Sequence, residues 1–388
     1  MEVDRFLDIY DLSLKKKGEE LCGDTFKALR TPCKTIVVLS DGLGSGVKAN
    51  ILATMTTEII LTLLSQEIPL EEVIKTIIGT LPVCKIRKIA YSTFTIVEIN
   101  NQDFTFSVSN FDNPPILYFR RGKLFTPEKQ QQKILNKTIT RWEGKLETGD
   151  FLGMMSDGVL YAGMGKVHNF GWGWENISKF MEGLFITQRP MARDLVYQVI
   201  SKTHSLYSGE IGDDATFAGI YVRPRTALMI FTGPPMNKAM DDYYVNQLLQ
   251  FPGRKVVCGG TTANIVSRVT GNPVETDISS MRRDVPPIGR MDKLDLLTEG
   301  ILTISKALEY LRSSQCDISR LPVDNNGAVL FSRELLNADY IYFLVGQRMN
   351  EFYQNPRLPE TISIRKNLIK ELADLLQERN KEVVVEYC

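Results

Sequence analysis

The chain has 388 residues, 46 Lys plus Arg against 46 Asp plus Glu, and 43% hydrophobic residues. That is enough for two or three globular domains, and the even charge balance removes any general electrostatic case for nucleic acid or an anionic membrane as partner. Cys22, Cys33, Cys84, Cys258, Cys316 and Cys388 form no CxxC pair, and only His168 and His204 occur, which argues against a zinc site and for reduced thiols in the cytoplasm, with any metal a hard cation held by carboxylates. The acidic N-terminus lacks a signal-peptide core, and no apolar run is expected to span a membrane.

In chain order, the first signal is a lysine run, Lys15 to Lys17, read as a solvated turn with phosphate attraction as a lesser alternative. Gly23-Asp24 opens a segment, Thr25 to Arg30, that turns at Thr31-Pro32-Cys33 and returns as Lys34 to Ser40, the pattern of a β-hairpin. The returning strand ends in Asp41-Gly42-Leu43-Gly44-Ser45-Gly46, ahead of a helical pattern. Asp-Gly is ordinary turn chemistry. Here, however, the hairpin would set Asp24 and Asp41 side by side, their Cα atoms roughly 5 Å apart, and two such carboxylates repel unless a positive charge lies between them.

A helix is predicted over Val47 to Leu64, with Ala49, Leu52, Met55, Ile59 and Leu63 on one face, and a second over about Leu70 to Thr80. Strands follow at Tyr91 to Asn100, Asp103 to Asn110, Ile116 to Arg120 and Lys123-Leu124, with Arg121-Gly122 as a tight turn. Phe151 to Ser156 is a further buried strand, ended by Asp157-Gly158. After an amphipathic stretch holding Trp172 and Trp174, read as packing residues, a helix from about Met191 to His204 precedes Gly212-Asp213-Asp214 and the strand Ala215 to Val222. The geometry of the first acid pair is thereby repeated. Asp24, Asp41, Asp157 and Asp213 all fall at strand ends and would converge on one edge, where Mg²⁺ or Mn²⁺ with its retained waters needs few protein ligands. Two such ions would activate water near neutral pH without a serine, cysteine or histidine nucleophile.

These pieces, in this order and spacing, resemble the metal-dependent PPM serine/threonine phosphatases of the stage II sporulation protein E branch. The matching residues are Gly23-Asp24, Ser40 to Gly46, Met155 to Gly158 and Gly212 to Thr216. The resemblance implies an α+β fold, a four-layer α-β-β-α sandwich, over residues 1–224, with two Mn²⁺ or Mg²⁺ ions. It implies that Asp41 bridges the ions, that the Gly42 carbonyl and Asp24 serve one of them, and that Asp157 and Asp213 serve the other, with Asp214 a lesser ligand candidate. The expected reaction is hydrolysis of phosphoserine or phosphothreonine on a regulatory protein of the anti-sigma factor antagonist type. Partners would then be phosphorylated signalling proteins, without nucleic acid or membrane, and a homodimer is compatible with this reading. Distant eukaryotic members grip substrate phosphate with an arginine near the first motif, where this chain has only Lys15, Lys16 and Lys17.

Residues 225–388 alternate strand and helix: Ala227 to Thr232, Asn237 to Leu249, Lys255 to Cys258 and a helix through Arg268, then helices at Leu294 to Arg312 and Gly327 to Leu336, a strand at Tyr340 to Val345, a helix at Ile364 to Arg379 and a strand at Glu382 to Glu386. This predicts a smaller three-layer α/β domain with a parallel sheet. Its most site-like feature is Gly259-Gly260-Thr261-Thr262, where a strand gives way to a helix N-terminus suited to anions; a plain structural turn is the other reading. The competing functional expectation is accordingly a ligand-sensing or docking module with weak phosphatase activity.

Overall fold

The computed structural model describes residues 5–80, 92–135, 137–165, 169–186, 191–348, 360–379 and 381–388. Cys84, Tyr91 and His168 lie outside them. Two compact units emerge, Arg5–Pro224 and Arg225–Cys388.

The first unit runs β1 (Arg5–Leu14), β2 (Asp24–Arg30), β3 (Lys34–Gly42), α1 (Gly46–Ser65), α2 (Leu70–Thr80), β4 (Ser92–Asn100), β5 (Thr105–Phe111), β6 (Leu117–Arg120), β7 (Lys123–Leu124), β8 (Gln130–Ile134), β9 (Lys137–Lys145), β10 (Phe151–Met155), α3 (Asp157–Leu160), α4 (Trp174–Leu184), α5 (Ala192–Leu206) and β11 (Ala215–Pro224). The strands form two antiparallel sheets, ordered β1-β11-β10-β6-β7 and β2-β3-β4-β5-β9-β8. Strand β3 explains the stacking. Successive side chains point to opposite faces, so Val37 and Leu39 meet Met154, Ala218 and Ile220 of the other sheet, while Ile36 and Val38 pack on Ile60, Leu64 and Ile74 of α1 and α2. Burial on both faces is why this strand reads as an unbroken apolar run. The five-stranded sheet likewise packs Phe151 and Phe217 against Met181 of α4 and Val199 of α5. Helices thus cover the outer face of each sheet.

Three local readings change. The buried face of α1 is Ala49, Ala53, Thr56, Thr57, Ile60, Leu61 and Leu64, whereas the predicted Met55 is exposed and Leu52, Ile59 and Leu63 are half-buried. Small residues let the helix lie close to β3, and apolar size alone pointed to the wrong side. This 20-residue helix is also long and apolar enough to meet the length and composition of a membrane span, contrary to the sequence expectation, although a packed core helix passes the same test. Third, Asp157 is not the last residue of a strand; β10 ends at Met155 and Asp157 opens α3.

The second unit runs β12 (Ala227–Thr232), α6 (Asp241–Gln250), β13 (Arg254–Cys258), α7 (Gly260–Thr270), β14 (Glu275–Asp277), β15 (Ile288–Arg290), β16 (Leu296–Thr298), α8 (Ile301–Ser313), α9 (Gly327–Asn337), β17 (Tyr340–Val345), α10 (Glu360–Gln377) and β18 (Glu382–Tyr387). Its sheet is ordered β14-β15-β16-β13-β12-β17-β18, parallel from β16 to β18, with β14 and β15 added antiparallel at one edge. Alternation along β12 again sets the two faces: Ile230 packs with α8, α9 and α10, and Met229 and Phe231 with α6 and α7. The predicted helix Leu294 to Arg312 is two elements, β16 and α8, because Gly300 interrupts an apolar stretch that serves both.

Candidate metal centre

Each acid is placed by its strand. Pairing of β2 with β3 sets Asp24 directly opposite Asp41. Pairing of β10 with β11 sets Met155 opposite Phe217, so Asp157 lies just past one strand end and Asp213 just before the start of the other. The two pairs belong to different sheets and are joined by Ser156. Its Oγ donates to Asp24 Oδ2 at 2.7 Å and accepts from the Thr216 amide at 2.9 Å.

Close main-chain packing fixes the turns on either side. A Cβ on Gly42 would lie 2.1 Å from the Ala49 carbonyl oxygen of α1, and one on Gly158 would lie 2.0 Å from the Asp214 carbonyl oxygen. The Gly158 carbonyl accepts from Tyr207 Oη at 2.7 Å. Asp214 Oδ1 accepts from the Lys16 amide at 2.9 Å, and Lys16 Nζ stands 3.8 Å from Asp213 Oδ1. The lysine run therefore ends beside the acids, with Lys16 facing them, while Lys17 pairs with Glu210.

The electrostatics are those of negative charge held out of water. Asp24 is 5% exposed and Asp214 4%; Asp24 Oδ1 and Asp214 Oδ2 are both buried without a hydrogen-bond partner. Burial, and then repulsion from Asp24, Asp157, Asp213 and Asp214, pushes Asp41 up to about 9. Burial pushes Asp24 up to about 7, against the lowering effect of its hydrogen bond from Ser156. Asp157 is raised by burial and by Asp213, and Asp213 by burial, with Lys16 pulling the other way. A buried carboxylate oxygen without a partner is costly, and so is a group of like charges. A divalent cation answers both, and the donor set is all hard oxygen, as Mg²⁺ and Mn²⁺ require. The residues fit such ions. Among the described residues no three acidic, histidine or cysteine side chains already close into a ligand group.

The predicted acids Asp24, Asp41, Asp157, Asp213 and Asp214 thus share one neighbourhood, with Gly42 at its edge. Sequence reasoning missed Ser156, Thr216 and Tyr207, which position the acids and turns and carry no charge to mark them. It also missed Glu19, whose Oε1 accepts from Ser45 Oγ at 2.9 Å beside the glycine-rich turn. The Gly259 to Thr262 stretch lies in the other unit: Gly259 follows β13 as the N-cap of α7, and Gly260, Thr261 and Thr262 form its first turn.

Residues 31–223 match the family described as Stage II sporulation protein E (SpoIIE). Over 215 residues the chain is 26% identical to Stage II sporulation protein E of Bacillus subtilis (strain 168), a match covering 54% of this chain and about a quarter, 25%, of that protein. Among solved structures, the phosphatase domain of SpoIIE from Bacillus subtilis is 21% identical with a TM-score of 0.44, covering 58% of this chain and 96% of that one. A longer piece of the same protein, with a fragment of its regulatory domain, is also 21% identical with a TM-score of 0.49, covering 57% of this chain and 65% of that one.

Proposed function

We propose, from the match of residues 31–223 to the SpoIIE family, that the chain is a PPM-type phosphatase that hydrolyses phosphoserine or phosphothreonine on another protein. The observation that carries the reading is the shared neighbourhood of buried acids, two of them with orphaned oxygens, faced by Lys16 alone among the lysines of its run. Asp24, Asp41, Asp157 and Asp213, with the Gly42 carbonyl and Asp214, would hold the Mn²⁺ or Mg²⁺ ions. Bound there, such ions supply a water of lowered pKa and polarise the phosphate.

The chain's own groups do the positioning. Ser156 fixes one oxygen of Asp24 and leaves the other for the ion. Lys16 is tethered at its amide to Asp214 and has its ammonium beside Asp213, where it would meet a substrate phosphate oxygen as the arginine of the distant eukaryotic members does. In the reaction the bond between phosphorus and the serine or threonine oxygen breaks and water provides the new oxygen, so no phosphorylated side chain of this protein forms. The substrate we favour is a small phosphorylated regulatory protein of the anti-sigma factor antagonist type.

The test is turnover of a phosphoserine peptide by the full chain and by residues 1–224, with Mn²⁺, with Mg²⁺ and with chelator. Metal-dependent phosphate release supports the reading. No release with either metal, by either form, overturns it and leaves the docking-module alternative.

A further inference from the structure

The second unit carries a feature that phosphatase chemistry does not use. Its chain passes from β12 to β13 to β16 in one direction along the sheet and then returns to β17 and β18 on the other side of β12. The order reverses between β12 and β17, and in open α/β sheets ligands bind outside the carboxyl ends of the strands at that reversal. Glycines stand there. Thr232, Cys258 and Val345 are level in adjacent strands, and each is followed by glycine: Gly233, Gly259 and Gly346. Gly259 has φ +119°, a conformation L side chains rarely adopt, and a Cβ on Gly260 would meet nothing within 4 Å. The N-cap of α7 is Gly259, without a side chain to cap the helix, so the helix N-terminus opens beside glycine main chain.

Three further polar groups stand at this edge without a partner for one of their atoms. Thr262 is 1% exposed and its Oγ1 has no partner; that oxygen lies 3.5 Å from where Gly259 would carry a Cβ, against the turn. Thr232, fully buried at the end of β12, also has an unpartnered hydroxyl. Above the same edge, Arg365 of α10 donates from Nη1 to the Gly346 carbonyl at 3.2 Å, sits where Gly233 would carry a side chain, and has an Nε without a partner. Glu299 is the carboxylate that acts on Arg365 electrostatically, and its Oε2 already accepts from the Leu302 amide at 3.0 Å. A half-buried guanidinium that leaves a donor unused is costly unless an anion completes it.

We propose that the carboxyl edge of β12, β13 and β17 binds a small phosphate-bearing metabolite, its phosphate seated on the Gly259–Thr262 turn and reached by Arg365. Glu299, at the next strand end, then meets hydroxyl groups of the same ligand.

The experiment measures binding to the full chain by calorimetry and by thermal shift, in chelator so that no metal centre captures phosphate. The probes are inorganic phosphate, ribose 5-phosphate and AMP, with citrate as a carboxylate control. Saturable binding of a phosphate-bearing probe, weakened at least tenfold in both Gly260→Val and Arg365→Gln, supports the site. Thr262→Val should weaken the same probe while raising the melting temperature of the ligand-free chain, because it removes an idle buried hydroxyl. Gly260→Val has room for its side chain, so it reports even where Arg365→Gln lowers stability. Absence of binding by all three phosphate probes, binding equal in the variants, or citrate binding as tightly as the phosphates overturns the proposal.

Discussion

Replacing Asp41 by asparagine keeps the shape of the side chain and removes its charge, which separates what this carboxylate does for catalysis from what it costs the fold. Asp41 is pushed up to about 9, by burial first and by the surrounding aspartates second. Its folded pKa lies above its unfolded value, so the metal-free folded chain binds the extra proton between about pH 4 and pH 9. That contribution to stability is fully present below the unfolded pKa and is lost as pH rises through the folded one. At pH 7 the gap from the ordinary value of 3.8 amounts to roughly 4 kcal/mol at most. For a domain of this size that corresponds to a melting shift on the order of 10 °C. Scanning calorimetry in chelator should therefore show wild type becoming more stable from pH 8 to pH 6, with Asp41→Asn melting several degrees higher than wild type at pH 8. With Mn²⁺ the order should reverse, and turnover should fall by about a thousandfold, about 4 kcal/mol of barrier. A variant that melts at or below wild type in chelator at pH 8 would refute the electrostatic argument, and one that keeps wild-type Mn²⁺-dependent turnover would refute the metal assignment.

Lys16→Met should raise the KM for a phosphopeptide about tenfold, roughly 1.4 kcal/mol, with partial recovery in Lys16→Arg and unchanged Mn²⁺ affinity by calorimetry; equal KM values would remove Lys16 from the phosphate site. Gly42→Ala should unfold or severely destabilise the first unit, because its methyl group would collide with the backbone of α1, and a cooperative melt within a degree or two of wild type would contradict that. Thiol-blocking reagents should leave turnover largely intact: the exposed Cys33 reacts first, while Cys22 is half-buried with its thiol pushed up to about 12, mainly by burial. Loss of activity that persists in Cys22→Ser would point to a thiol mechanism.

The acid pair of the first hairpin was legible because hairpin register is simple arithmetic. A turn at Thr31 to Cys33 leaves Asp24 opposite Asp41, as β2 and β3 pair. The second pair was legible from the same repeated grammar of apolar strand, acid and glycine. Strand β1 was not, because its alternating Arg-Phe-Leu-Asp-Ile-Tyr-Asp pattern becomes a strand only by pairing with β11, some two hundred residues away. Strands β8 and β9 were missed for a related reason: the glutamine-rich β8 is mostly exposed and gains its identity from its partner alone. The face of α1 was misjudged because about half of its buried residues are alanine and threonine, which hydrophobic size does not rank. Ser156 could be located within its motif, but only the fold shows that it reaches across to the other sheet.

That hydroxyl makes the site a gauge of how the two sheets are seated. Asp24 and Asp41 ride on one sheet, Asp157 and Asp213 on the other, and the apolar layer between them includes Val37, Val97, Met154 and Ile220. Interiors transmit strain because they are close-packed. A methyl group lost or gained in that layer, far from any carboxylate, would tilt one pair of acids against the other before it unfolded anything. Sequence drift in the middle of the domain is thus read out as drift in the separation of the acids, and the layer is held to a geometric tolerance as well as an energetic one.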